Sequence, residues 1–428
     1  MSAPSRGRSS IETSERFSIA KRHGRDTRSE DGKNSVLLSS SGRIHGCGWM
    51  VSALATLAYT LILVHFAVPI TYYGYVTRFS RKPWGLNVNG AYRPRIAIIL
   101  PTYNECAVIE QRIENIVQQQ YPPSLIELLV IDASADNTAD IVEKWHTRDN
   151  RVKVIKQQGR RGKTDAIATG LDHVAQDCEI IVLTDADALW EPEALTKAVA
   201  YLSDPRVGCV TARINYAQEN RESSEDDYRD WYNSLRLAES KIQSTPIHNG
   251  PFFAVRSEVF RKVPLQRFEG SDDSMFGSFI AFTGLRAIQA NDITVEEPMR
   301  GAVLQRKVRR AQTLLFNFAL TPRFVRSTGL YRKTSFDKIW YAEWWLHVVN
   351  PWLLILGFVM TLVEAVKGSV LAIWLLTAGF VSLLFKTPRM WFLQQLYLAI
   401  GAVESLIEKR IVWEESRVPV DLRAKPAR

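Results

Sequence analysis

Cysteine is scarce. The chain holds four in 428 residues (Cys47, Cys106, Cys178 and Cys209), with no CxxC pair and no zinc-type spacing. This argues against a disulfide framework and fits a reducing compartment. No apolar run opens the chain, so no cleavable signal peptide is expected. No segment repeats at a fixed period, which sets repeat architectures aside. The formal charge of +9 comes without an aromatic-basic motif, so nucleic acid is not an expected partner. The positive excess is spread over tails and loops and suits an anionic membrane face or a phosphate-bearing ligand.

What is present divides the chain. Residues 1–45 are rich in Ser, Arg and Gly and read as a disordered basic tail. Residues 46–76 turn apolar, with His65 the ionisable residue of note. About 20 apolar residues span a bilayer, so one transmembrane helix fits there; a packed neutral histidine and a buried functional one are both open for His65. Residues 77–335 read as a cytosolic catalytic domain. Residues 336–408 read as a membrane region. In it the tryptophan-dense 339–352 is an interfacial belt, 350–366 and 369–385 are two membrane helices, and 391–407 is either a third span or an interfacial helix. A basic tail, 409–428, follows.

Within the soluble part, strand-like runs at 94–100, 125–132, 152–157 and 179–185 alternate with helical spacing at 108–120, 138–147 and 163–176. That alternation predicts βαβ units and an α/β domain with a mostly parallel sheet. Ligands of such sheets bind beyond the carboxyl ends of the strands, and those ends carry the polar residues. PTYNE (101–105) follows the first strand. DASADNTAD (132–140) follows the second, with Asp132 at the strand end and Asp136, Asn137 and Thr138 available as helix caps. GRRGKTDA (159–166) follows the third and places Lys163 at a helix start, where backbone N–H groups attract phosphate. After the fourth come Asp185 and Asp187, put on one side of an extended chain by the intervening Ala186. Two carboxylates so close repel unless a hard cation such as Mg²⁺ or Mn²⁺ joins them; an acidic turn capping the next helix is the other reading.

The order PTYNE, Asp132 in DASADNT, GKTDA and TDAD resembles the inverting family 2 glycosyltransferases of the GT-A fold, over residues 94–315. The resemblance implies a membrane-bound member related to polysaccharide synthases and polyprenyl-linked sugar transferases, with helices on both faces of a mixed, mostly parallel sheet. It implies that Pro101, Thr102, Asn104, Glu105 and Asp132 hold the nucleoside, that Lys163 lies near the nucleotide, and that Asp185 and Asp187 ligate the metal bridging the diphosphate. His248, Asn249 and Gly250 would line the donor-sugar and acceptor side. The stretch 269–277 would carry the catalytic base, assigned to Asp273 with Asp272 as the alternative. Many processive members carry Gln-x-x-Arg-Trp where this chain has Gln305 followed by Val308 and no tryptophan. It keeps Arg306, Arg309 and Arg310, spaced to share a helical face suited to clamping a diphosphate or to touching anionic lipid.

The expected function is transfer of one sugar from a nucleotide-sugar, UDP-linked in most of this family, to a lipid-linked or glycan acceptor. The expected cofactor is Mg²⁺ or Mn²⁺, and the expected location the plasma membrane with the catalytic domain facing the cytosol. About three spans are too few to enclose a polymer channel, so a processive synthase of the hyaluronan, cellulose or chitin kind, or a homo-oligomer sharing a channel, is the alternative. An inactive membrane scaffold that keeps the fold is a further one.

Overall fold

The computed structural model describes residues 44–159, 161–216, 223–265, 273–297 and 303–407. The expected tails 1–45 and 409–428 thus lie outside the described residues, apart from the first turn of the helix Ile44–Val76. Eight strands form one sheet: β1 (Ile96–Thr102), β2 (Ile126–Asp132), β3 (Val152–Lys156), β4 (Ile180–Leu183), β5 (Leu189–Trp190), β6 (Val207–Tyr216), β7 (Phe253–Arg256) and β8 (Arg286–Glu297). Their order is β3-β2-β1-β4-β7-β6-β8-β5. The first four are parallel, β7 is antiparallel to β4 and β6, and β6 and β8 pair in parallel.

The predicted strands appear within two or three residues of their expected bounds, because β1, β2 and β4 are Val/Ile/Leu runs buried on both faces and β3 alternates apolar and polar residues at the sheet edge. Ile96, Ile98 and Leu100 of β1 enter one core layer; Ala97 and Ile99 enter the other. The first layer is closed by the helices Ile109–Val117 and Ala194–Leu202, the second by Lys163–His173 and Asp273–Phe282. Register places Thr102 opposite Asp132, and Ile99 opposite Leu183. The chain therefore leaves β1, β2 and β4 at one edge of the sheet, and the polar loops gather there.

Among the described residues two helices are long and apolar enough to cross a membrane, Ala53–Phe79 and Phe336–Val366. The second absorbs the tryptophan-dense stretch expected as a separate belt: Phe336–Trp344 runs through a π-helical segment, Trp345–Val349, into Asn350–Val366. The second apolar run, 369–385, behaves differently from expectation. It forms the helix Val370–Ser382, which at 13 residues covers about 20 Å against a hydrocarbon core of about 30 Å. The chain then turns by 102° into Lys386–Ile407, so the two helices form one sharply bent apolar pair. That last helix lies against Val303–Ser327: a Cβ on Gly401 would stand 3.0 Å from the Ala311 Cβ, and Gln312 donates to Glu404 at 3.3 Å. His65 is fully buried among the apolar helices. Its Nε2 accepts from the Trp391 indole at 2.9 Å while Nδ1 meets the Asn350 carbonyl at 3.1 Å, which makes it a packed ring.

Candidate active site

The first two strand ends brace each other. Asp132 is buried, 3% exposed. Its Oδ1 accepts from the hydroxyls of Thr102 and Ser134, each at 2.6 Å, and its Oδ2 from the Ser134 N–H at 3.2 Å. Across the gap the Asn104 N–H donates to Ser134 Oγ at 2.7 Å, Asn104 Oδ1 accepts from Ala135 N at 3.0 Å, and the Glu105 N–H donates to Thr138 Oγ1 at 2.9 Å. Asn104 holds φ at 55°, the one non-glycine described residue in the left-handed region; Asn tolerates that region better than most residues. Pro101 sits within β1 opposite Ile131, half-buried below this rim. Of the three caps considered, Asp136 performs the task, accepting from Thr138 N at 3.0 Å.

The third and fourth strand ends meet a residue from far along the chain. Lys163 Nζ stands 2.9 Å from Asp185 Oδ1 and 3.5 Å from Asp273 Oδ2, 110 residues away. Gly162, at φ 101°, starts its helix in a backbone conformation that other residues resist. Ala186 and Ala188 are buried while Asp185 and Asp187 are half-buried, so the two carboxylates do share the outer side of the loop. Gly250 forms the floor under Asp273: a Cβ there would fall 2.1 Å from Asp273 Oδ2. Asp272, the alternative base, lies outside the described residues.

His248 and Asn249 face inward. The His248 ring is packed against Gly277, where a Cβ would come within 2.3 Å of it, and edge-on to Phe253. Burial pushes its pKa down to about 3, with the Arg236 charge adding to the effect, so it is neutral at physiological pH. Asn249 donates to the Ala212 carbonyl at 2.8 Å and accepts from Arg236 at 3.0 Å. Of the three residues expected on the donor-sugar side, Gly250 alone is seen to abut Asp273.

The three arginines separate. Arg310 donates to both oxygens of Glu297, at 2.9 and 3.2 Å, and Arg229 approaches the same carboxylate at 3.9 Å. Arg306 is buried. Burial lowers the Arg309 pKa and Arg310 adds to that, while Glu297 and Asp185 oppose it, which places Arg309 within electrostatic reach of the cleft.

Two features escaped the sequence reading. Arg112 is 1% exposed and feels the charges of Asp185 and Asp187. It donates to Asn115 Oδ1 at 2.6 Å and Thr184 Oγ1 at 2.7 Å and lies over the Trp190 ring at 4.2 Å. Thr184 and the Trp190 indole both donate to the Pro251 carbonyl, each at 2.8 Å, tying this layer to the Gly250 loop. Burial lowers the Arg112 pKa to about 9, against the pull of Asp185 and Asp187, so it remains charged at neutral pH. Its signal was an arginine on the apolar face of its helix, with Ile109, Ile113 and Ile116. The second feature is a pair of buried carboxyls, Glu239 and Glu343, on which the half-buried Arg236 acts through space. Glu239 accepts from Tyr72 at 2.6 Å and Thr245 at 2.8 Å, and burial pushes its carboxyl pKa up. This cluster joins both apolar helices to the helix Ser223–Ile242, and through Arg236 to Asn249.

The profile of Glycosyl transferase family 2 matches residues 97–264. Mannosyltransferase PcManGT from Pyrobaculum calidifontis, solved in complex with GDP-Man and Mn2+, is 36% identical. It superimposes with a TM-score of 0.73 and covers 83% of this chain, while this chain covers 100% of it. The chain belongs to glycosyltransferase family 2. A family 2 glycosyltransferase takes its sugar from a nucleotide-sugar, and the matched residues include the loops that follow β1 to β4. Glycosyltransferase AglE from Haloferax volcanii is 25% identical over 148 residues, 34% of this chain and 48% of that one. "Probable glucomannan 4-beta-mannosyltransferase 15" from Arabidopsis thaliana is 27% identical over 164 residues, 34% of this chain and 30% of that one. The match thus spans about half or less of the length of these curated relatives.

Among the described residues no group of three or more His, Cys, Asp or Glu side chains forms a ready metal cage. An aspartate pair with the Lys163 ammonium already against it fits an ion that shares its coordination with substrate oxygens, the habit of Mg²⁺ and Mn²⁺.

Proposed function

We propose that this protein is a membrane-bound, inverting transferase that moves one mannosyl unit from GDP-mannose to a lipid-linked or glycan acceptor. The observation that carries the reading is Lys163 standing between Asp185 and Asp273, because it brings the diphosphate-side carboxylate and the candidate base to one point. The choice of donor follows the GDP-Man complex of the 36% identical relative and replaces the UDP-sugar expectation. Asp132, Thr102, Asn104 and Glu105 hold the nucleoside; Lys163 and Arg309 face the diphosphate. Asp185 and Asp187 hold the divalent ion, which supplies charge neutralisation at the departing diphosphate when bound.

Asp273 removes the proton of the acceptor hydroxyl as that oxygen attacks the anomeric carbon. The bond to the diphosphate breaks in the same displacement, the nucleoside diphosphate leaves and the configuration inverts. Residues 77–335 face the cytosol, where nucleotide-sugars are found, and the apolar helices anchor them at the plasma membrane. The missing Arg-Trp pair and the few spans favour single transfer over processive synthesis.

The test is purified full-length protein with Mn²⁺ and a panel of GDP-mannose, UDP-glucose and UDP-N-acetylglucosamine, scoring nucleotide release and product length. GDP release with one added sugar, lost in Asp273→Asn and Asp187→Ala, supports the reading. Release from the UDP-sugars alone overturns the donor, long ladders overturn single transfer, and activity unaffected by Asp187→Ala overturns the metal assignment.

A further inference from the structure

The Arg112 guanidinium is an unusual object: a permanent cation, fully buried, whose two hydrogen-bond acceptors are the neutral oxygens of Asn115 and Thr184. A buried charge is normally held by an opposite one. Its acceptor Thr184 directly precedes Asp185 in the chain, and the carboxylates that act on it electrostatically are Asp185 and Asp187. Its flat face is covered by Trp190. Arg112 reaches neither the cleft surface nor a proposed ligand.

We infer that Arg112 is a built-in counter-ion to the aspartate pair, which holds the two carboxylates together while no ion is bound and keeps the intrinsic affinity for a divalent cation low. The inference rests on the assignment of Asp185 and Asp187 as the ion-holding pair. The physical argument is one of sign. A fixed positive charge near two carboxylates reduces their mutual repulsion, and by the same Coulomb term it opposes an arriving divalent cation, with little water between to screen it. The donor's diphosphate reverses the balance by bringing its own negative charge, so metal and nucleotide-sugar bind together rather than the metal first. Arg112 is thus a positioning residue that makes cation binding conditional on the donor.

Removing an ordinary structural support weakens metal binding or leaves it alone; removing this charge strengthens it. Arg112→Met keeps much of the volume over Trp190 and leaves the Thr184 and Trp190 bonds to Pro251 in place. Arg112→Lys keeps the charge. The experiment titrates Mn²⁺ alone into full-length protein, without nucleotide, and reads free Mn²⁺ by electron paramagnetic resonance. The expected result is that Arg112→Met binds Mn²⁺ at least about tenfold more tightly than the unaltered protein, while Arg112→Lys stays within about threefold of it. Unchanged or weaker binding by Arg112→Met overturns the inference, as does equal tightening by Arg112→Lys. Arg112→Gln, read in the same way, decides the matter should the methionine variant not fold. Asp187→Ala is the separate control: if it binds Mn²⁺ normally the metal assignment itself falls, and if it alone loses Mn²⁺ while Arg112→Met does not tighten, only the counter-ion role falls.

Discussion

Gly250→Ala probes the candidate site with a single carbon. The added Cβ would stand 2.1 Å from Asp273 Oδ2 and 2.8 Å from its Cγ, where contacts below 3.0 Å are essentially never seen. The carboxylate must therefore withdraw by about 0.9 Å, or the loop must shift by as much. Asp273 already lies 3.5 Å from Lys163, so a withdrawal of that size breaks the contact that seats it. A misplacement of about 1 Å at a reacting group lowers rates by roughly 10²-fold, equivalent to about 2.7 kcal/mol in the barrier. The loops holding Asp132, Thr102 and Asn104 do not touch Gly250 through any bond described above, so donor affinity should stay within about threefold. The assay is GDP release under saturating acceptor, resolved into kcat and donor KM, with a thermal melt to confirm the fold. A variant with unaltered kcat would refute the base assignment. A variant whose KM rises while kcat holds would move Gly250 to the donor side instead.

Three further predictions follow from the same geometry. Lys163→Met leaves Asp185 and Asp273 without the cation between them and should lower kcat/KM at least about tenfold, read in the same release assay. His248 is held neutral down to about pH 3 when folded but takes up a proton near pH 6.5 when unfolded. Its contribution to stability is therefore complete above pH 6.5 and is lost as pH falls below it, by about 1.4 kcal/mol per pH unit; His248→Gln should flatten that part of the melting-temperature profile between pH 6.5 and 4.5. Arg236→Met removes the half-buried cation that acts through space on Glu239 and Glu343 and takes a donor from Asn249, and should destabilise the protein by about 1–3 kcal/mol. Thermal unfolding in detergent measures this, and adding Glu239→Gln should restore part of the loss.

The early strands and their loops were legible because both signals are local. β1 to β4 are apolar runs separated by helical spacing, and the polar residues stand directly at their ends. The alternation of Asp185 and Asp187 with buried alanines was expected from an extended chain, whereas the backbone turns at Ala186 and Asp187. The later strands were not identified. β6 pairs with β7 and β8, partners some 40 to 80 residues along the chain, and nothing in the run 207–216 names them. The 102° bend after Val370–Ser382 was not foreseen, because hydropathy counts apolar residues and carries no record of where a helix turns.

What the amino-acid order determined by itself was the class of fold, the set of polar loops at one sheet edge and the family they resemble, all consequences of short-range pattern. Tertiary structure decided which of those residues meet. It set Asp273 on Gly250 and against Lys163, turned His248 and Asn249 inward, engaged Arg310 with Glu297, and buried Arg112 within electrostatic reach of the aspartate pair. It also closed Tyr72, Glu239 and Glu343 into one cluster across three helices. Each of these depends on groups brought together over long separations, where charge and burial act through space rather than along the chain.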